Sequence, residues 1–142
     1  MSEPDDMQSQ KDKVIIDTNL WISFLLSKDF AKLDKLIASQ QIILLFCYEL
    51  LEEIVDVTQR KKFRKYFPIN DVEILLEQIR KEAIFITPTT VTFSCRDSKD
   101  NFLLSLALDG NATHLITGDK DLLILEKVGN TKILTITDYL LS

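Results

Sequence analysis

Carboxylates are the side chains of this sequence whose types and spacing suggest chemistry. Asp17 directly follows the apolar run Val14-Ile15-Ile16, and Glu53 lies in the helical segment after a second apolar run. Asp100 opens a later helical segment, and Asp119 follows a further apolar run, with Asp97 and Asp121 close by. If those runs are parallel strands, their carboxyl ends share one edge of a sheet, the edge where open α/β sheets bind ligands. Carboxylates gathered there would repel one another and raise their own pKa values, and a divalent cation relieves that cost. A donor set of oxygens without Cys or His favours Mg²⁺ or Mn²⁺ over zinc. These ions activate water and neutralise developing charge in phosphodiester hydrolysis. A chain of formal net charge −5 disfavours a broad electrostatic hold on nucleic acid, but clustered, metal-bound acids change that balance.

Each acid also has a structural reading. Asp17 or Asn19 can cap the first helix, Asp97 can be an N-cap with Asp100 near the third helical position, and Asp119 can cap a short helix after Gly118. Capping does not explain Glu53, which lies too deep in its helix. On a helical projection, Leu50, Leu51, Ile54, Val55 and Val57 form one face, Glu52 and Asp56 point away, and Glu53 falls at the rim. The basic cluster Arg60, Lys61, Lys62, Arg64 and Lys65, around Phe63 and Tyr66, reads either as a solvated helix face near a C-terminus or as a phosphate-contacting patch. His114, the single histidine, begins or precedes a strand and reads as structural, and Trp21 reads as packing. A serine triad would need His114 and lacks a nucleophile elbow. There is no Gly-rich phosphate loop.

The elements that must position these residues alternate. Strands are expected at Val14–Ile16, Ile42–Phe46, Ile84–Ile86, Ala112–Thr117 and Lys132–Ile136. Helices are expected over Leu20–Leu26, Phe30–Ser39, Tyr48–Thr58, Pro68–Ala83, Ser98–Asp109 (stopped by Gly110 with Asn111 behind it) and Lys120–Glu126. That order implies a mostly parallel sheet covered by helices on both faces. At 142 residues, 46% of them hydrophobic, with three Gly and three Pro, the chain fits one domain over residues 13–142 behind a loose polar tail, 1–12. Cys47 and Cys95 match no metal or redox spacing and read as reduced thiols. No apolar run is long enough to cross a bilayer, and the start lacks the order of a signal peptide, so a cytoplasmic protein is expected.

Taken together, VIIDTN, YELLEEI, DSKDNFLLSLAL and HLITGDKDLL resemble the PIN domain (PilT N-terminal-like) family, specifically its small stand-alone members acting as toxins of toxin-antitoxin pairs. The resemblance covers Val14 to Leu141. It implies a three-layer α/β/α sandwich with a central, mostly parallel five-stranded sheet, and Mg²⁺- or Mn²⁺-dependent ribonuclease activity on RNA. It implies that Asp17, Glu53, Asp100 and Asp119 form the metal-binding set, with Asp121 a further acid and Asn19 and Thr117 accessory polar groups. It also implies an antitoxin partner and a homodimer. One departure is Cys47, where similar sequences carry a serine or threonine that opens the glutamate-bearing helix. A different reading is a catalytically silent PIN-like module that binds RNA or protein. A phosphatase with Asp17 as nucleophile is disfavoured, because the position two residues on is Asn19.

Overall fold

The computed structural model describes residues 11–27, 42–89 and 101–141. The helix expected over Phe30–Ser39, most of the loop after Thr87, and Cys95, Asp97 and Asp100 lie outside the described residues. The described strands are β1 (Asp12–Ile16), β2 (Ile42–Phe46), β3 (Ile84–Phe85), β4 (His114–Ile116), β5 (Lys127–Val128) and β6 (Thr131–Leu134). The described helices are α1 (Thr18–Ser27), α2 (Tyr48–Thr58), α3 (Ile69–Glu82), α4 (Asn101–Asp109), α5 (Lys120–Leu123) and α6 (Ile136–Leu141).

One sheet runs in the order β3-β2-β1-β4-β6-β5. Every neighbouring pair is parallel except β5 with β6. Val14, Ile15 and Ile16 are fully buried, as an unbroken apolar run in a central strand covered on both faces requires. β1 starts at Asp12, two residues ahead of that run and inside the stretch expected to be tail, because Asp12 and Lys13 pair with Ile42 and Ile43. Right-handed crossovers carry the chain outward from β1 through β2 to β3, then back across the sheet to β4. The helices of the two directions therefore lie on opposite faces. The order reverses between β1 and β4, which makes the crevice beyond their carboxyl ends the switch point of the fold.

The expected five strands are joined by a sixth. Lys127–Val128 pairs antiparallel with Thr131–Lys132 across a two-residue turn, and this hairpin shortens the helix expected to reach Glu126. Gly129 holds φ at +55° at the first turn position, a conformation that glycine takes without strain. β6 also ends before Ile136, which starts α6. At the end of α4 the expected roles of two residues are exchanged. Asn111 is the left-handed residue, with φ +51°, and the Ala112 N–H closes back on the Ala107 carbonyl at 3.0 Å, the longer bond of a Schellman-type ending. Gly110 serves close packing instead, since a Cβ there would lie 2.9 Å from Leu45, Ile86 and the Leu106 carbonyl.

In α3, Val72, Leu75, Leu76 and Ile79 are buried, the stripe expected from their spacing. α2 opens at Cys47, which is extended and makes no side-chain cap bond, in keeping with the poor capping of cysteine. The basic segment after α2 is a series of turns over residues 59–66 rather than a helix. Its N–H groups bond three or four residues back, for example Phe63 and Arg64 to Arg60. Crowded like charges destabilise a continuous helix there.

Candidate functional site

Continuing the parallel registers, by three residues between β1 and β2 and by one between β1 and β4, sets Cys47, Asp17 and Thr117 level just past the ends of three adjacent strands. Asp17 is fixed from both directions. Its N–H extends the β1–β4 ladder to the Ile116 carbonyl at 3.0 Å, while its own carbonyl accepts the first helical bonds of α1, from Leu20 and Trp21. Beneath it the Trp21 indole is 1% exposed and donates to the Ile16 carbonyl at 2.9 Å. The strand-to-helix junction is thus locked by backbone geometry, and the Asp17 carboxyl adds to it by accepting the N–H groups of Thr18 and Asn19 at the start of α1.

That side chain is 5% exposed. The Thr117 hydroxyl donates to its Oδ2 at 2.7 Å and accepts the Asp119 N–H at 3.0 Å. One fully buried hydroxyl therefore ties the acid after β1 to the loop after β4. Asp119 in turn caps α5, its Oδ1 accepting the Asp121 N–H at 2.8 Å. Burial pushes the Asp17 carboxyl above its ordinary pKa. The Thr117 hydroxyl and the N–H groups of Thr18 and Asn19 oppose that rise, and the Asp119 charge adds to it. The net shift is upward, as for a carboxylate that lacks a countercharge.

The remaining residues sort by position. Glu53 is half-buried and Glu52 exposed, the order that the helical projection gave. Asp121 is half-buried and Asn19 exposed in the first turn of α1. Asp100 lies outside the described residues, just ahead of α4. Among the described residues no three His, Cys, Asp or Glu side chains come together at metal-holding distances. Thr18 is a residue whose signal the sequence hid among good caps. It is 2% exposed, and its Oγ1 is buried with no hydrogen-bond partner among the described residues. An orphaned hydroxyl on the residue that follows a carboxylate whose pKa is raised by burial and by a neighbouring acid suits an oxygen-binding cation. The donor set fits Mg²⁺ or Mn²⁺.

The basic cluster is not brought to this edge. α1 and α2 both start there, and the residues around Phe63 flank their far halves. Ile22, Leu26, Val57, Phe63, Tyr66 and Phe67 line an apolar cleft of about 270 Å³. Arg60, Lys61, Lys62, Arg64 and Lys65 are all exposed. Arg60 pairs with Asp56 at 3.0 Å, while Lys62 and Lys65 lie 5.0 Å over the rings of Phe63 and Tyr66. His114 is also remote, at the opposite end of β4. It meets the Thr113 hydroxyl at 2.8 Å and packs edge-on against Tyr139, with ring centroids 4.9 Å apart, which is a structural role.

The model of the PIN domain matches residues 13–121 of the chain. The chain is also similar to the uncharacterized protein MJ1680 of Methanocaldococcus jannaschii, at 36% identity over 123 residues, covering 84% of this chain and 78% of that protein.

Proposed function

This chain belongs to the PIN domain family, a family of nucleases, and we propose that it is an endoribonuclease that hydrolyses RNA phosphodiester bonds with Mg²⁺ or Mn²⁺. The observation that carries the reading is the Thr117 hydroxyl joining buried Asp17 to the Asp119 loop at the switch point of the sheet. Asp17, Glu53, Asp100 and Asp119 would hold the cation, with Asp121 close by and Asn19 supporting. When bound, the cation supplies charge neutralisation at the phosphate and a water of lowered pKa. The chain's own residues prepare the site. Thr117 fixes the Asp17 rotamer and directs one oxygen, the N–H groups of Thr18 and Asn19 favour its ionised form, and α5 holds Asp119 in place. The basic turns from Arg60 to Lys65 would hold phosphates several nucleotides from the cleaved bond, an interaction that weakens with salt.

The role of toxin paired with an antitoxin, the homodimer, the cytoplasmic location and the single domain over 13–142 belong to the same proposal and rest on the family resemblance. Among the described residues no helix is long and apolar enough to cross a membrane. The second reading, a silent PIN-like module, is favoured by one observation: Asp119 already caps α5. Cleavage of single-stranded RNA by purified protein, with chelator and with Mn²⁺ added back, separates the two. The nuclease loses activity with chelator, regains it with Mn²⁺, and loses it with Asp17→Asn. Chelator-resistant cleavage, or full activity in Asp17→Asn, contradicts the mechanism, and a chain that neither binds Mn²⁺ nor cleaves is the module.

A further inference from the structure

The carboxyl edge carries a large aromatic side chain that packing does not account for. Tyr48 is 65% exposed, although it follows directly on Cys47, the residue level with Asp17 on the next strand. It is the first residue of α2, where the Cα–Cβ bond tilts back toward the helix start, here toward the edge that holds the carboxylates. The side chain nevertheless has a firm seat. Its ring rests on Phe85 with centroids 5.3 Å apart at 38°, Phe85 rests on Phe46 at 5.8 Å, and Phe46 rests on buried Trp21 at 5.5 Å. A column of rings thus runs from Trp21 in α1, the helix that follows Asp17, over β2 and β3 to an exposed tyrosine, and β3 lies two strand spacings from β1, about 10 Å.

We propose that Tyr48 is a stacking platform for a nucleobase of single-stranded nucleic acid, next to the phosphate that lies at Asp17. This deepens the nuclease reading and rests on it. The basic turns lie away from the acidic edge, which itself offers the phosphate there little besides the cation, so a contact indifferent to charge is what can add affinity beside the cleaved bond. Aromatic faces bind bases of any sequence in this way. Bases in a duplex are already stacked on one another, so the platform selects single strands. Support from Phe85 holds the ring in place before a base arrives, which lowers the entropy lost on binding.

Two readouts test it. Trp21 is the single native tryptophan and is 1% exposed, so Tyr48→Trp adds an exposed reporter at the platform. A short single-stranded oligoribonucleotide should quench it saturably, an abasic oligonucleotide of equal length should bind about tenfold more weakly, and a duplex should leave emission unchanged. Tyr48→Ala should raise KM about tenfold with kcat changed by less than about twofold, and Tyr48→Phe should restore the original KM. Unchanged Tyr48→Trp emission at saturating oligonucleotide, equal binding of the abasic strand, or a Tyr48→Ala variant that loses thermal stability with KM unaltered would overturn the platform. If the unmodified chain cleaves no phosphodiester bond, the nuclease reading fails, and the fluorescence arm still decides whether Tyr48 stacks a base.

Discussion

Two polar clusters occupy opposite ends of the same pair of strands. At the amino ends of β1 and β4, Asp12 accepts the Tyr139 hydroxyl at 2.8 Å and lies 3.8 Å from His114. Thr113 exchanges bonds there with both main-chain groups of Lys13. At the carboxyl ends, Asp17 has a hydroxyl and two N–H groups for partners, but it is deeply buried near another acid and is followed by Thr18, whose hydroxyl has no partner among the described residues. The ingredients are alike and the outcomes differ. The first cluster joins α6 to the sheet with opposite or neutral partners, whereas the second leaves like charges together where water is scarce. Buried polar groups are satisfied where they serve the fold, and shortfall concentrates where a ligand is expected.

The largest effect expected from this contrast is at Asp17. Asp17→Asn keeps an acceptor for Thr117 and removes the charge, so activity should fall by about a hundredfold or more. Metal-free stability should rise by about 1 kcal/mol, as measured by denaturant unfolding. The sign follows from the raised pKa: the fold favours the protonated carboxyl, so this group's contribution is fully present below about pH 4 and is lost as pH rises through the folded value. A neutral Asn removes that loss. Thr117→Val comes next. It strips a donor from Asp17 and an acceptor from the Asp119 N–H, and cleavage or Mn²⁺ affinity should drop about 10- to 100-fold, with Thr117→Ser restoring most of it.

The amino end should answer in stability alone. Tyr139→Phe should cost about 1 kcal/mol in urea unfolding and leave RNA cleavage unchanged. His114 is held below its ordinary pKa of 6.5 by burial, opposed by Asp12 and reinforced by Lys132. Its contribution is therefore present above that value and is lost as the pH falls through the lower folded one, because the unfolded chain binds the proton more readily. Melting temperature should decline on acidification below about pH 6.5, and less steeply in His114→Gln. The smallest effect is at the start of α2, where Cys47→Ser should gain about 0.5 kcal/mol by supplying the missing cap.

The carboxyl edge was more legible in the sequence than the ends of the chain. Val14–Ile16 and Ile42–Phe46 announce buried strands because an unbroken β-branched or apolar run has no wet face. Glu53 was separable from Glu52 by the helical projection together with the family resemblance. The two-residue β5 gave no periodicity, and its signal was the Gly129-Asn130 turn, which is readable only beside two strands already known. Asn111 was hidden by Gly110, since glycine serves both left-handed caps and close packing, and sequence does not say which. Capping and ligation look alike at Asp119, and the structure shows its cap directly. At Asp17 capping and site-building coincide: the carboxylate accepts the first N–H groups of α1 and also the Thr117 hydroxyl from a strand 100 residues away, a long-range contact that composition cannot express.

The central claim is that the carboxyl edge is a cation site whose charge costs stability until it is filled. Thermal unfolding of metal-stripped protein with increasing Mn²⁺ tests it most directly. The unmodified chain should gain roughly 5–10 °C at Mn²⁺ concentrations well above its dissociation constant, while Asp17→Asn should start higher and respond little. No gain in the unmodified chain, or an equal gain in Asp17→Asn, would contradict the account.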